Sequence, residues 1–99
     1  MLHILRHSPH RDDRLSSCLR VMGPEQSLLL IEDAVYALLP DSRLSASLKL
    51  LPGSVRLFAL TEDLHARGMA LDDLPGRVQL TDHAGMVQLC CEHSRVVSW

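Results

Sequence analysis

Carboxylates gather where strand-like runs end. Glu32 and Asp33 follow Leu28-Leu29-Leu30-Ile31, Glu62 and Asp63 follow Val55 to Thr61, and Asp82 follows Val78-Gln79-Leu80-Thr81. Paired acids of this kind serve as general acid and base, or as hard oxygen ligands for a divalent cation in a metal-assisted hydrolase. The plainer assignment is structural, because carboxylates at helix N-termini are stabilised by the helix dipole. The same negative charges occupy the position a phosphate would take. With no G-x-G-x-x-G and no P-loop pattern, a nucleotide cofactor is not expected.

The other chemistry-bearing residues are thiols and imidazoles. A cysteine near a helix N-terminus beside cationic groups acquires thiolate character, and Cys18 has Arg14, Arg20 and His10 near it in sequence. Yet Leu15, Cys18, Leu19 and Met22 form an i, i+3, i+4, i+7 apolar stripe, which favours Cys18 as a small buried hydrophobe. Cys90 falls on a second such stripe and Cys91 at its edge. Adjacent helical residues diverge by about 100°, so Cys90 and Cys91 suit neither a disulfide nor a ligand pair. His3, His7, His10, His65, His83 and His93 match no zinc spacing, and no metal is expected. No Ser/His/Asp nucleophile elbow exists, so the residues themselves supply no convincing catalytic set.

Gly23-Pro24, Pro52-Gly53 and Pro75-Gly76 each precede a β-type run and divide the chain into units. Expected strands cover 2–6, 27–31, 54–60 and 77–81, with Val96-Val97 as a last short one. The run at 28–31 has four consecutive branched apolar residues, the pattern of a strand buried on both faces of a parallel sheet. Helices are expected from Ser8-Pro9 to about Met22, over 43–51 with Asp41 or Ser42 as cap, from a Thr61 cap to Gly68, and from an Asp82 cap to about residue 92. A shorter helical turn, through Ala34, Val35, Ala37 and Leu38, should end at Pro40. Asp63 and Arg67 stand at i, i+4 for an ion pair. The alternation predicts an α/β fold: parallel strands joined by right-handed crossovers, with helices on both faces.

The chain has 99 residues, a formal net charge of −2 and a single lysine. Such a length predicts one domain over 1–99 with a modest stability margin. Without a basic block or interleaved aromatics, direct nucleic-acid binding is not favoured. No run approaches the roughly 20 apolar residues of a membrane span, and the N-terminus lacks a secretory pattern. The expected location is the cytoplasm, with free thiols.

Met1-Leu2-His3, Ser8-Pro9, Leu29-Leu30-Ile31-Glu32-Asp33-Ala34-Val35, Ala59 to Gly68 (A-L-T-E-D-L-H-A-R-G) and Ser98-Trp99 together resemble the TusB/DsrH family. The resemblance implies a small three-layer α/β/α sandwich of the DsrE-like type, with a mostly parallel sheet of about five strands. It also implies a cytoplasmic sulfur relay in which the chain joins TusC- and TusD-like subunits, two copies of each, in a heterohexamer. That complex passes persulfide sulfur between carrier proteins toward 2-thiouridine at the tRNA wobble position. In TusB-type members the persulfide cysteine belongs to the TusD-like subunit, which makes this chain a non-catalytic partner. DsrH members of sulfur oxidisers carry a first-helix cysteine, and Ser17-Cys18-Leu19 resembles that position. Cys18 is therefore the candidate persulfide residue of the alternative, a carrier in sulfur oxidation. His83 stands where the family often has an aromatic, and Gly85-Met86-Val87 where it often has Gly-Phe-Val; Met86 suits the volume of the Phe.

Overall fold

The computed structural model describes all residues from Met1 to Trp99. Five strands form one sheet: β1 (Leu2–Leu5), β2 (Ser27–Leu30), β3 (Arg56–Leu60), β4 (Val78–Thr81) and β5 (Val96–Ser98). Every pairing is parallel and the spatial order is β4-β3-β2-β1-β5. The helices are α1 (Arg14–Val21), α2 (Ser45–Lys49), α3 (Thr61–Ala66) and α4 (His83–Glu92), with 3-10 segments at Glu32–Leu38 and Leu71–Asp73. No helix is long and apolar enough to cross a membrane.

The strand order dictates how the faces are covered. From β1 through β4 the chain steps in one direction, so right-handed crossovers place every intervening helix on one face. There Leu5, Leu28, Leu30, Leu57 and Ala59 pack against Leu15 and Cys18 of α1, Val35 and Leu38 of the 3-10 segment, Leu48 of α2 and Leu64 of α3. The return from β4 to β5 reverses direction and crosses the other face. Leu89 of α4 meets Leu2, Leu29 and Phe58 there, with Met86 and Cys90 beside it. Both faces carry helices, but unequally. Leu28, Leu29 and Leu30 are fully buried, because β2 has a covered face on each side.

The five strands fall where the apolar runs place them, the first four shortened by a residue or two and the last extended to Ser98. Helix starts differ more. α1 begins at Arg14 rather than near Ser8. Ser8 does organise a turn: its Oγ accepts the His10 N–H at 3.2 Å and its carbonyl accepts the Arg11 N–H at 3.1 Å. Asp12 then diverts the backbone, accepting the Arg14 N–H through Oδ1 at 3.1 Å, the kind of local bond by which Asp competes with helix. Thr61 is not a cap. β3 runs into α3 with no linker, Leu60 takes the cap position and Thr61 is the first helical residue. Asp82 is a cap, its Oδ1 accepting the Gly85 N–H at 2.7 Å. A Cβ on Gly85 would collide with Thr81 Oγ1. Met86 packs, half-buried, against the second-face core.

One structural residue has no sequence signature. The Arg77 guanidinium donates to the carbonyls of Leu51 (2.6 Å), Pro52 (2.9 Å) and Val55 (2.9 Å), pinning the loop that enters β3 to the start of β4. Charge-assisted bonds to carbonyls contribute about 1.5–3 kcal/mol each at most, and the set is partly solvated. Replacing Arg77 with Ala is expected to lower the unfolding free energy by about 1–3 kcal/mol in urea titrations. Arg77→Lys should recover only part of the loss, since an ammonium lacks the planar fork.

Candidate functional site at the carboxyl ends of the strands

β2, β3 and β4 all end on the same edge of the sheet, so the strand-end acids do converge, as two separate groups. In the first, Glu32 leaves β2 with φ of 49°, a left-handed conformation uncommon for a residue with a side chain. Its N–H, the first of the 3-10 segment, donates to Asp63 Oδ2 at 2.7 Å. Arg67 closes the group. Its Nε and Nη2 both donate to Asp33 Oδ1, at 3.0 and 2.8 Å, while Nη1 donates to the Asp63 carbonyl at 3.2 Å and lies 3.6 Å from Asp63 Oδ1. The guanidinium also stands 5.9 Å from the Tyr36 ring centroid. The i, i+4 pair of Asp63 with Arg67 is present, but the closer partner of Arg67 is Asp33, from another element. Three charges and a strained backbone thus fasten the 3-10 segment to α3.

The second group lies over β3 and β4. Glu62 Oε2 is 2.7 Å from His83 Nδ1 and accepts the His83 N–H at 3.2 Å. Its carboxyl is held below the ordinary value of 4.5, first by its own backbone N–H, against desolvation as the next effect, and then by the His83 backbone N–H, ring and charge. Thr61, Glu62, Leu80, Thr81 and Asp82 line an open recess of about 480 Å³. No three His, Cys, Asp or Glu side chains come together as a metal-ligand set. The acids act here as backbone acceptors and ion-pair partners. His83 meets Glu62 with both its ring Nδ1 and its backbone N–H.

The thiols are placed differently from the acids. Cys18 is 0% exposed within the main core. Burial alone pushes its thiol up from 9.0 to about 12. At pH 7 that leaves about one thiolate in 10⁵. The neighbouring basic residues do not reach it: Arg20 donates to Ser17 Oγ at 3.2 Å, and Arg14 and His10 are exposed. Cys90 is half-buried and Cys91 exposed, with all three thiols free. His7, His10 and His65 are exposed as well. Two histidines are ordered by contacts that sequence reading missed. Trp99 Nε1 donates to His3 Nδ1 at 3.1 Å, which leaves His3 Nε2 as the donor to Gln26 Oε1 at 2.7 Å. His93 Nδ1 donates to the Leu89 carbonyl at 2.7 Å, with Nε2 3.2 Å from Ser27 Oγ. The terminal Ser-Trp pair was the one available signal, because it gave the last strand a side chain able to reach back into the sheet.

The carboxyl edge belongs to an all-parallel five-stranded α/β/α sandwich, the fold of a small DsrE-like domain. Solved structures share it: the YchN protein of E. coli superposes with a TM-score of 0.83 at 18% identity, covering 99% of this chain and 97% of that one. The protein of unknown function MTH1491 from Methanobacterium thermoautotrophicum gives 0.76 at 25% identity, covering 99% and 96%. The DsrH family profile, described as DsrH like protein, matches residues 7–96. Proteins named TusB are 33% identical in Enterobacter sp. (strain 638) and in Escherichia coli K12, and 35% identical in Pectobacterium parmentieri, each over all of both chains. The chain belongs to the DsrH family.

Two outcomes follow from this geometry. Since the Glu62 pKa is lowered on folding, its contribution to stability is complete above the ordinary Glu range and is lost as pH falls through the lowered value. Glu62→Gln should therefore be less stable than the parent at pH 7 and should show a shallower loss on acidification in parallel denaturation series. With a neutral thiol-specific alkylating agent, Cys91 of the native protein should react first and Cys18 only on unfolding, as read by peptide mass mapping.

Proposed function

We propose that this chain is a non-catalytic subunit of a cytoplasmic sulfur relay. It joins TusC- and TusD-like α/β subunits, two copies of each kind, and the assembly hands persulfide sulfur between carriers toward 2-thiolation of wobble uridine in tRNA. The full-length similarity to proteins named TusB supports the relay. The burial of Cys18, with its thiol raised to about 12, supports the non-catalytic part. Persulfide exchange starts from an accessible thiolate attacking a sulfur, and this thiol has neither exposure nor charge. Four of the five strand-end acids, Asp33, Glu62, Asp63 and Asp82, are committed to backbone N–H groups, to Arg67 or to His83, which supports the same reading. The chain's contribution is then a surface: it completes the assembly and helps shape where the carriers dock.

Co-expression with the two homologous subunits should yield one co-purifying complex. A chain that stays alone in their presence would refute the assembly. Cys18→Ala, which leaves only a small cavity, should retain wobble-uridine thiolation in cells. After incubation with a cysteine desulfurase, its carrier and cysteine, intact mass should show no gain at Cys18. A gain of about 32 Da, one sulfur atom, that disappears in Cys18→Ala together with thiolation would establish the carrier reading instead.

A further inference from the structure

At the amino edge of the sheet, opposite the strand-end acids, the charge is reversed. The entries of β3 and β4 bring Arg56 and Arg77 to one recess of about 240 Å³, lined also by Gly53, Val55, Leu57 and Gln79. No carboxylate lines it. The protein's ion pairs involve Arg14, Arg67 and His83 and neither of these two arginines. Glu25 comes to the same corner through its N–H, which donates to Ser54 Oγ at 3.3 Å, but its carboxylate pairs with neither guanidinium. Asp73 lies with Lys49 on a separate, smaller recess.

The donors around the recess are held in place by the fold. The Arg56 guanidinium lies over the Phe58 ring, 4.9 Å from its centroid, a contact that positions a cation and leaves its N–H groups free. Arg77 is fixed by the bonds of Nη1 and Nη2 to backbone carbonyls, and its Nε–H keeps no partner in the protein. Gln79 is exposed and stands opposite Phe58 in the β3–β4 register, so its amide falls on the side of the sheet where Arg56 lies. Two like charges about one hollow repel each other, and an anion that accepts from both removes that repulsion.

We propose that this recess binds the dianionic phosphate group of a small ligand, either free phosphate or a phosphate monoester. Guanidiniums that approach from two separate strands need an acceptor with oxygens in more than one direction. A terminal phosphate offers three such oxygens and about two negative charges near neutral pH. A carboxylate offers two coplanar oxygens and a single charge. A phosphodiester also carries a single charge, so a nucleic-acid backbone is the poorer match. The acids at the far edge, roughly one strand length or about 15 Å away, repel an anion there and favour this edge for it. Such a site stands whether or not the chain joins a sulfur relay, since it uses neither Cys18 nor a homologous subunit.

The test is a titration of the full chain with inorganic phosphate at constant ionic strength, followed by backbone amide shifts. Millimolar phosphate should produce saturable changes centred on Gly53, Ser54, Arg56 and Gln79. Arg56→Gln, an exposed substitution, should weaken binding by about tenfold or more, the loss of one charge-assisted fork, with an unchanged circular dichroism spectrum. Arg77 also holds the loop that enters β3, so the second variant is Gly53→Asp. A Cβ at Gly53 meets nothing within 4 Å, and the added carboxylate stands where the anion would. Gly53→Asp should abolish binding and Gly53→Ala preserve it. Acetate and dimethyl phosphate, each a single charge, should bind at least about tenfold more weakly than phosphate. Adenosine monophosphate separates the two sources. Tighter binding than free phosphate, lost in Arg56→Gln, assigns a monoester; equal or weaker binding assigns free phosphate. The proposal is overturned if these amides do not respond, if the response survives unchanged in Arg56→Gln or Gly53→Asp, or if acetate or dimethyl phosphate binds as tightly as phosphate.

Discussion

Burial of the central strand is the constraint from which the rest of this structure descends. Leu28, Leu29 and Leu30 have no exposed surface, and fully burying three leucine side chains contributes about 5–9 kcal/mol before entropy. For a chain of this size that is comparable to a whole domain's net stability. The contribution exists only while both faces of β2 are covered. Parallel pairing on each side supplies its backbone partners, and each parallel crossover must carry a covering layer. With handedness fixed, three crossovers in one direction and one in return give a thick layer on one face and a thin one on the other. The unequal coverage is a consequence of strand order, and it leaves α4 alone over the second face. Arg56, with its guanidinium 4.9 Å from the Phe58 centroid, shields part of what that helix does not reach.

The carboxyl edge shows the same economy. Where strands end together, several backbone N–H groups lack partners at once, and acids are the side chains that can accept from them. Asp63 accepts from Glu32, Asp82 from Gly85 and Glu62 from His83. Arg67 offsets the repulsion of Asp33 and Asp63. A catalytic pair of carboxylates requires one member protonated near neutrality through burial or a like charge. Asp33 and Asp63 are instead bound to a guanidinium, and Glu62 is shifted the opposite way. The edge therefore resembles active-site edges in position and differs from them in electrostatics.

How much of this was legible in the sequence depended on the range of the forces involved. The period of the apolar residues located all five strands and the stripe of Leu15, Cys18 and Leu19, since burial acts on every second or every third and fourth residue regardless of partner. Asp82 as a cap was legible because the cap bond spans three residues. Thr61 was misassigned because the strand enters the helix directly, and nothing in the local composition distinguishes a cap from a first helical residue. Asp33 with Arg67, Arg77 with the 51–55 loop, and His3 with Trp99 bridge 34, 22 to 26, and 96 positions. No local pattern encodes such pairs; they exist only once strand order is set, and strand order was the part left open.

Cys18 shows where resemblance and physics separate. By position it resembles a sulfur-carrying cysteine, yet by environment it is one more apolar group in the core that holds Leu5, Leu15 and Leu28. A persulfide adds a third-row atom to a site with no exposed surface, and overpacking a core by about one heavy group costs 1–3 kcal/mol. It would also demand a thiolate where burial opposes one. Both costs vanish only if α1 lifts from the sheet, which would uncover the strand the domain depends on. The helix that holds Cys18 is thus bound to the fold by the same burial that disfavours its thiolate.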